Sequence, residues 1–421
     1  MTRPQRLLFQ RLLLGLILFG IARPAYGIPA FARKYGLKCT ACHEAWPLLN
    51  VVGRAFRDNG YRFNNGKDDA ITTDPSYWPI FAWVEENYQY QYSKSEKHTV
   101  TNVGEVGPGF VVLGAMTSLS EHISFNIRPV FGFGNGALFF DAAWIRINRV
   151  FDSDALNLRL GELDFDLPIT TAGERDFTTT LPGNLRSLSY TVPGSRGLDL
   201  LANPTGLELS GHDRGSINRY SVMFYDNNGQ GSGSHQLFNT PSVYGHVSHL
   251  FQVPAGFVRD VELGAFGTYA TVAVGPDSAA RKPQRRYGGT FDTWVASDAL
   301  PLHLEAIAFQ GRDDKALIPG ATHDALYDGG DVQIDYVPAL PFEIFARYNL
   351  IRNVTQAVPG RTGSFGDQDI YLFGIQHTVE FTSRFEWGWQ VYYALERDRL
   401  QAPDGTNLTQ HYIWAGLLLA F

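Results

Sequence analysis

The chain has 421 residues, of which 44% are hydrophobic and only 18% are charged. It holds 8 Trp, 20 Tyr and 29 Phe but only 2 Cys, which excludes a disordered chain and a scaffold built on several disulfides. The formal net charge of -7 argues against nucleic acid as a partner, because nucleic-acid binding requires a basic surface. The Gly and aromatic content favours one large all-β barrel over two or three soluble domains.

Residues 1–27 have the pattern of a secretory signal peptide. Three arginines precede an apolar run over residues 12–22, and Ala25-Tyr26-Gly27 supplies small residues around a cleavable bond. The run has about half of the roughly 20 residues that a membrane-spanning helix needs, so an uncleaved anchor is the weaker interpretation. We therefore expect export across the inner membrane and a mature protein that begins near Ile28.

A C-x-x-C-H motif follows directly. Cys39, Cys42 and His43 have the spacing at which two thiols add to the vinyl groups of haem while the imidazole ligates iron. A zinc site would need a further Cys or His at short spacing, and residues 44–97 include neither. A thioredoxin-like dithiol would need a βαβ context, which is missing, and a structural disulfide is the remaining alternative. The motif therefore predicts one covalent c-type haem.

An amphipathic helix is expected after the motif. Pro47 suits a first helical position, and Asn59-Gly60 ends the pattern. The apolar positions recur at three- and four-residue spacing: Leu48, Leu49, Val52, Ala55 and Phe56. We expect this face to cover the haem. Arg54 and Arg57 lie away from it, and a solvated helix face is the simpler interpretation, with pairing to haem propionates as the alternative.

The segment from residue 28 to residue 76 is too small to bury a core alone, so the haem and an external wall must complete it. Four aromatic residues could pack against the macrocycle, with ordinary core filling as the alternative for each: Phe31, Tyr35, Trp46 and Tyr61. The rest of the chain offers the wall.

From about Trp78 onward the hydrophobic period changes to two, as in residues 87–92, 123–128, 331–336 and 384–396. A soluble sandwich and an outer-membrane barrel show the same local pattern. About 16 such segments, each near the 9 to 11 residues that cross a bilayer, favour an outer-membrane barrel over residues 77–421, surrounded by outer-membrane lipid. The irregular stretch 186–211 is compatible with one strand or two.

The last residues, 411–421, alternate back from Phe421 and resemble the terminal strand that the bacterial outer-membrane insertion machinery recognises. The longer polar, Gly-rich connections are expected to be outward-facing loops: residues 226–234, 275–284 and 352–368. The tight connections are expected to be periplasmic turns: residues 118–121 and 382–383.

Residues 29–61 resemble the N-terminal signature of the fused monohaem cytochrome-porins of bacterial outer membranes. The matching residues flank the haem motif: Pro29-Ala30-Phe31-Ala32-Arg33-Lys34-Tyr35-Gly36, Pro47-Leu48-Leu49, Gly53-Arg54-Ala55-Phe56 and Gly60-Tyr61. Members of that family are implicated in oxidising extracellular Fe(II). The resemblance implies a haem c on Cys39 and Cys42, with His43 as proximal iron ligand, in a small α-helical domain over residues 28–76 that plugs or caps a barrel of about 16 strands. Over the barrel the likeness is only architectural.

The sixth iron ligand must come from the barrel region. Outside the signal segment the chain holds two methionines, Met116 and Met223, and every histidine other than His43 lies beyond residue 97. Strand parity places Met223 on the luminal face, and we take it as the distal candidate. Three histidines are further candidates: His98, His235 and His303. An ordinary luminal or loop role is the alternative for each, and a five-coordinate iron is also compatible with the sequence.

Oxidation of Fe(II) to Fe(III) is an outer-sphere step, so we expect no acid–base pair or catalytic triad. The expected function is electron transfer across the outer membrane, from an extracellular donor such as Fe(II) to a periplasmic c-type cytochrome or other carrier, in the manner of a ferrous iron oxidase. Two alternatives remain: an outward conduit to extracellular acceptors, and a diffusion porin in which the haem segment is a plug or sensor. A blocked lumen favours the conduits, and an open lumen favours the porin.

Three acidic clusters in connections could attract ferrous ions at an outer rim, with solvated loop charge as the simpler interpretation: Asp313-Asp314, Asp324 with Asp328, and Asp367 with Asp369.

Overall fold

The computed structural model describes most of the chain: residues 31, 34–38, 41–43, 48–63, 68, 78–132, 138–168, 187–192, 198–213, 215–227, 241–253, 258–274, 280–295, 301–339, 342–355, 366–382, 385–402 and 405–420. Several predictions concern residues outside these ranges: the signal peptide (1–27), the domain boundary at 76–77, Cys39, Trp46, Pro47 and His235. In the described ranges, no helix is long and apolar enough to cross a membrane.

Sixteen antiparallel strands in the described part of the chain close into a barrel, in which each strand pairs with the next and β1 pairs with β16. The first eight are β1 Ile80–Lys94, β2 Thr99–Ser118, β3 Ile123–Gly132, β4 Leu138–Ile147, β5 Asn157–Glu162, β6 Thr205–His212, β7 Asn218–Asp226 and β8 Pro241–Gln252. The others are β9 Val258–Val274, β10 Ala280–Val295, β11 Leu302–Asp313, β12 Ala325–Ala339, β13 Phe342–Asn353, β14 Gln368–Thr382, β15 Phe385–Asp398 and β16 Leu408–Ala420. An α-helix, α1 (Val51–Asp58), precedes the barrel, and short 3-10 turns lie at Val150–Asp152, Ser187–Ser189 and Lys315–Leu317.

The closed barrel confirms the prediction of an all-β antiparallel barrel of about 16 strands. The described residues of the stretch 186–211, which are 187–192 and 198–211, contribute one strand, β6.

The two faces of the strands distinguish a membrane barrel from a soluble sandwich. On β12, Ile334 is 46% exposed on the outside, whereas its neighbours Gln333 and Asp335 are fully buried on the inside. The same arrangement holds on β15, where Val391 is exposed and Gln390 is buried. An apolar exterior around a polar interior suits a barrel that faces lipid, and it is the reverse of what a soluble sandwich needs. The structure therefore excludes the sandwich.

The rim where β1 begins and β16 ends, marked by Ile80 and Ala420, is called the terminal rim here. Residues 118–121, one of the two predicted tight turns, lie at this rim, as does the end of β14 at Thr382, whereas Ser383 lies outside the described residues. At the opposite rim, the described ends of the three predicted loops belong partly to strands: residue 226 to β7, residues 280–284 to β10, residues 352–353 to β13 and residue 368 to β14. Residues 228–234, 275–279 and 356–365 of these loops lie outside the described residues.

The described residues of the connection between β5 and β6, which are 163–168, 187–192 and 198–204, contribute side chains to the lumen and are called the inner loop. Within its described residues, Leu163, Phe165 and Leu200 are fully buried. The backbone N–H of Leu198 donates to Gln284 of β10 at 2.7 Å, and the ring of Tyr190 lies 5.0 Å from that of Tyr327 on β12. Because β10 and β12 stand across the ring of strands from β5, the inner loop fills part of the lumen.

Candidate functional site

Helix α1 follows the haem motif and begins at an Asn cap. The side chain of Asn50 accepts a hydrogen bond from the backbone N–H of Gly53 at 2.9 Å. Gly60, with a φ of 68°, adopts the left-handed conformation that ends the segment. The helix therefore ends where the sequence predicted. Its predicted start at Pro47 is wrong, because the helix begins at Val51. Leu48 and Leu49 lie before the helix, because Asn50 provides the first cap.

The described part of the motif, residues 41–43, lies against the first turn of α1. The backbone N–H of Asn50 donates to the carbonyl oxygen of Cys42 at 2.9 Å, and His43 forms an isolated β-bridge with Leu49. A Cβ added at Gly53 would lie 2.2 Å from the carbonyl oxygen of Cys42. This close approach therefore requires glycine at position 53.

The side chains around the motif can be tested for their fit to a covalent haem. Cys42 has a free thiol that is partly buried, and burial raises its pKa to about 11, so the thiol is neutral at physiological pH. His43 is also only partly buried. On α1, beside Gly53, Val52 is 49% exposed although it belongs to the predicted apolar face. A partly buried thiol, a partly buried imidazole and an uncovered apolar side chain together fit a large apolar group.

Arg54 joins α1 to strands β9 and β10. Its guanidinium lies 3.1 Å from the carboxylate of Glu262 and 3.6 Å from that of Asp292. The side chain is only 7% exposed. The interpretation of Arg54 as part of a solvated helix face is therefore wrong, because the residue is buried among luminal carboxylates that the strand pattern alone did not place beside α1.

Asp58 joins the other end of α1 to strands β4 and β7. Arg219 Nε lies 3.0 Å from the Asp58 carboxylate, and Arg146 donates to the Asp58 carbonyl oxygen at 2.6 Å. Burial by itself raises the pKa of Asp58, but Arg219 and Arg57 outweigh it and lower the pKa to about 2. Since α1 is bound to β4 and β7 at one end and to β9 and β10 at the other, it lies across the lumen.

Aromatic side chains complete this docking. The ring of Phe56 on α1 lies 5.0 Å from that of Phe31 and 5.5 Å from that of Tyr35. Tyr61 stacks on Trp144 of β4, with ring centroids 6.1 Å apart. Phe31, Tyr35 and Tyr61 therefore fill a core between the N-terminal segment and the barrel wall, which is the alternative role considered for them.

A cavity remains beside α1. Its lining includes four arginines and four carboxylates, which come from α1, the inner loop and strands β4 to β7: Arg57, Arg146, Arg159, Arg219, Asp58, Asp164, Asp166 and Glu208. The lumen is thus occupied by α1 and the inner loop but retains a charged cavity between them.

Met223 lies on β7 with its side chain fully buried on the luminal side, as strand parity predicts. It belongs to the apolar cluster that contains Phe165 of the inner loop and Tyr244 of β8. Met116, on β2, is partly buried against the same cluster. The role of Met223 as the distal iron ligand stays a prediction.

The histidine candidates lie in different environments. His98 is exposed next to β2 at the opposite rim. His303 is buried on β11, where Nε2 lies 2.8 Å from Asp292 and Nδ1 lies 2.9 Å from Asp335. Both ring nitrogens of His303 therefore have protein partners.

The acidic clusters at the opposite rim form ion pairs with arginine side chains. They are therefore neither an open acidic rim that could attract ferrous ions nor isolated charges in solvent. The pairs are Arg286 with Asp313 (2.7 Å), Arg312 with Asp324 (2.7 Å) and Arg352 with Asp369. Asp367 accepts from the backbone N–H of Asn353 at 2.8 Å. Each of these carboxylates thus helps to order a connection between strands.

Sequence reasoning missed the luminal partners of α1, chiefly Glu262, Asp292, Arg146 and Arg219. The period-two pattern could have placed each of them on the luminal face. It could not have placed them opposite α1, because that depends on how the strands close into a ring.

No protein-family model and no curated protein matches the sequence. Among solved structures, the chain is similar to the anion-selective porin from Comamonas acidovorans, with 12% identity and a TM-score of 0.52 over 81% of this chain and 98% of that one. It is also similar to the outer membrane channel DcaP of Acinetobacter baumannii, with 10% identity and a TM-score of 0.51 over 81% and 96% of the two chains. A third is OmpF of Salmonella typhi in complex with daunomycin, with 10% identity and a TM-score of 0.50 over 80% and 97%. At these identities the likeness establishes the fold alone, which is that of a porin-like outer-membrane β-barrel.

Proposed function

We propose that this porin-like barrel is an outer-membrane electron-transfer protein that carries one covalent haem c on its N-terminal segment. The observation that supports the proposal is the position of the motif: residues 41–43 are bound to α1, and α1 is ion-paired across the lumen through Arg54 and Asp58. A redox group held there would stand between the two sides of an insulating bilayer while the segment narrows the pore.

The residues have separate roles in this proposal. Cys39 and Cys42 would hold the haem through thioether bonds, and His43 would ligate its iron, which when bound supplies one-electron chemistry between Fe(II) and Fe(III). The close contact of Gly53 with Cys42 orients the motif on α1. The buried charges of α1 position the whole segment relative to the barrel wall, and burial with nearby charge tunes the potential of a redox group.

For the direction, we propose inward transfer from an extracellular donor such as Fe(II) to a periplasmic c-type cytochrome. In outer-membrane barrels the short turns are periplasmic and the longer loops are extracellular, which assigns the terminal rim to the periplasm. The luminal partners of α1 include Asp292 and Arg219, which lie toward the strand ends at that rim. An acceptor protein could therefore approach the segment from the periplasm. Iron as the donor rests on the family resemblance alone.

The test uses full-length protein produced together with a cytochrome c maturation system. We expect the wild type to keep its haem after denaturation and to be reduced by Fe(II) in a spectroelectrochemical titration. The double variant Cys39→Ser/Cys42→Ser should carry no covalent haem. Met223→Leu is the matched control: it should keep covalent haem, and its potential should shift only if Met223 ligates iron.

Two outcomes would overturn parts of this proposal. A wild-type protein without covalent haem would refute electron transfer through a haem c. A haem that titrates well below the iron couple would refute inward transfer from Fe(II) and would favour an outward conduit to extracellular acceptors.

A second candidate is a diffusion porin in which the N-terminal segment is a plug or sensor. Its support is the porin-like fold together with the charged cavity beside α1. The two candidates differ in the conductance expected of the intact protein, which is low for a conduit and substantial for a porin.

A further inference from the structure

Three buried side chains on neighbouring strands converge beside α1. Asp292 of β10 stands directly opposite Glu305 of β11, and His303 lies on the same face of β11 two residues earlier. One nitrogen or carboxylate oxygen from each residue lies within 4.8 Å of the others. None of the three belongs to the haem motif, and the predicted proximal and distal iron ligands are other residues, His43 and Met223.

The cluster lies in a row of like charges on neighbouring strands, and Arg54 and Arg219 contact members of that row. Glu262, Asp292 and Glu305 form one row across β9, β10 and β11, and like charges directly opposite each other destabilise paired strands. Arg54 contacts the first two carboxylates of the row. Glu305 is 1% exposed, and its Oε2 has no hydrogen-bond partner although it is fully buried. Burying a carboxylate oxygen without a hydrogen-bond donor is costly unless a cation lies beside it or the carboxyl group is protonated.

His303 is oriented as a metal ligand by the residues behind it. Its Nδ1 lies 2.9 Å from Asp335, and Asp335 accepts a hydrogen bond from Gln333 at 2.7 Å. Trp294 stacks on the imidazole ring, with centroids 4.7 Å apart. A carboxylate that accepts from Nδ1–H leaves the Nε2 lone pair for a metal, and Nε2 is the atom that faces Asp292 at 2.8 Å.

We propose that Asp292, His303 and Glu305 bind one divalent first-row transition-metal ion in the lumen, with Asp335 as a positioning residue. One imidazole nitrogen with two carboxylate oxygens suits ions such as Mn²⁺, Fe²⁺, Co²⁺ and Zn²⁺, whereas Cu⁺ prefers sulfur ligands and Ca²⁺ prefers six or more oxygens. The ion would compensate the negative charge of this row that Arg54 does not compensate. The site uses neither the C-x-x-C-H motif nor Met223. It takes His303, a further candidate for the sixth iron ligand, out of that role, but the proposed covalent haem does not depend on it.

The test measures metal uptake by full-length protein in detergent after chelator treatment. Zn²⁺ bound at equilibrium dialysis is counted by mass spectrometry, which separates it from any haem iron, and Co²⁺ is followed by its visible spectrum. We expect about one Zn²⁺ per wild-type chain and a loss of affinity of about tenfold or more in Glu305→Gln. Glu396→Gln is the matched control, because Glu396 on β15 is equally buried and its Oε2 also lacks a hydrogen-bond partner.

Binding no tighter in the wild type than in Glu305→Gln, or equal losses in Glu305→Gln and Glu396→Gln, would overturn the proposal. His303 would then be a protonated bridge between Asp292 and Asp335, with Glu305 protonated. The variant Glu305→Gln is folded if it forms a heat-modifiable barrel on a gel, and if it does not, the Co²⁺ spectrum of the wild type is the test. Absorption bands of a low-symmetry site with nitrogen and oxygen ligands would support the proposal, and the spectrum of aqueous Co²⁺ would refute it.

Discussion

Two buried charges of opposite sign, Arg54 and Asp58, hold α1 in the lumen. Arg54 faces carboxylates of β9 and β10, and Asp58 faces the arginine of β7. Removing one partner of a buried ion pair leaves the other charge without compensation in a poorly solvated place, which costs far more than the loss of an exposed pair. The docking of the N-terminal segment therefore depends on single side chains.

The substitution Arg54→Met should lower the free energy of unfolding by about 1.5–3 kcal/mol, because it removes the buried cation that Glu262 and Asp292 share and leaves them with Arg219 and His303 as partners. Arg149→Met is the matched control: Arg149 is 34% exposed and pairs with Glu121, so its loss should cost about 0–1 kcal/mol. Urea unfolding in detergent, followed by tryptophan fluorescence, measures both. Equal losses in the two variants would contradict a docking role for Arg54.

Docking should also weaken in acid. The pKa of Asp58 is lowered from 3.8 to about 2 in the folded protein, so its ionised form stabilises the docked state. This contribution, about 2 kcal/mol, is fully present above roughly pH 4 and is lost as the pH falls through 2. Pepsin cleavage within residues 48–63 should therefore accelerate as the pH falls from 4 to 2.

The variant Asp58→Asn should already show fast pepsin cleavage at pH 4, whereas Asp152→Asn, which changes an exposed carboxylate, should behave like the wild type. A wild-type cleavage rate that stays constant between pH 4 and pH 2 after correction for pepsin activity would argue against Asp58 as the titrating group.

At the scale of elements, α1 is shorter than its apolar pattern predicted. The recurrence of Leu48, Leu49 and Val52 suggested a helix from Pro47, but Asn50 caps the helix and Leu48 packs against Trp294 and Val337 of the barrel. A hydrophobic period records which side chains are buried, and Leu48 is buried by the wall without being helical. The predicted end at Asn59-Gly60 is confirmed, since a glycine with positive φ is a local signal.

Gly53 links this element to the haem motif and supports a third prediction. Gly53→Ala should reduce the yield of covalent haem and destabilise the segment, although Ala favours helices, because its Cβ would lie 2.2 Å from the carbonyl oxygen of Cys42. Gly245→Ala is the matched control, since an added Cβ at Gly245 on β8 would lie 3.9 Å from the nearest atom, the carbonyl oxygen of Ser221. The ratio of haem to protein in purified samples measures the effect. Equal haem content in Gly53→Ala and wild type would mean that this close approach is not needed for attachment.

At the scale of the whole molecule, two segments of the chain lie in the lumen within the part that the structure describes. The inner loop reaches from β5 to β10 and β12, and α1 joins β4 and β7 to β9 and β10. What passes through the barrel therefore depends on how firmly these segments are held, and this separates the electron conduit from the diffusion porin.

The full-length protein should show low conductance in planar bilayers at neutral pH, because α1 and the inner loop occupy the lumen. The double variant Arg54→Met/Asp58→Asn should conduct severalfold more, since it removes the charged contacts at both ends of α1. Arg149→Met should conduct like the wild type. A wild-type protein that already conducts as an open pore would favour the diffusion porin instead.

The sequence by itself determined the architecture of the barrel and the position of the motif. Alternation of apolar and polar side chains depends on immediate neighbours, so residues 331–336 predict an inward and an outward face without knowledge of the other strands. The C-x-x-C-H motif is also local, because its chemistry requires three residues at fixed spacing. Tertiary structure alone decided that Arg54 meets Glu262, 208 positions away, and that Asp292, His303 and Glu305 converge. These contacts arise from the register and closure of sixteen strands, and a pattern of period two carries no information about which strands become neighbours of a segment inside the ring.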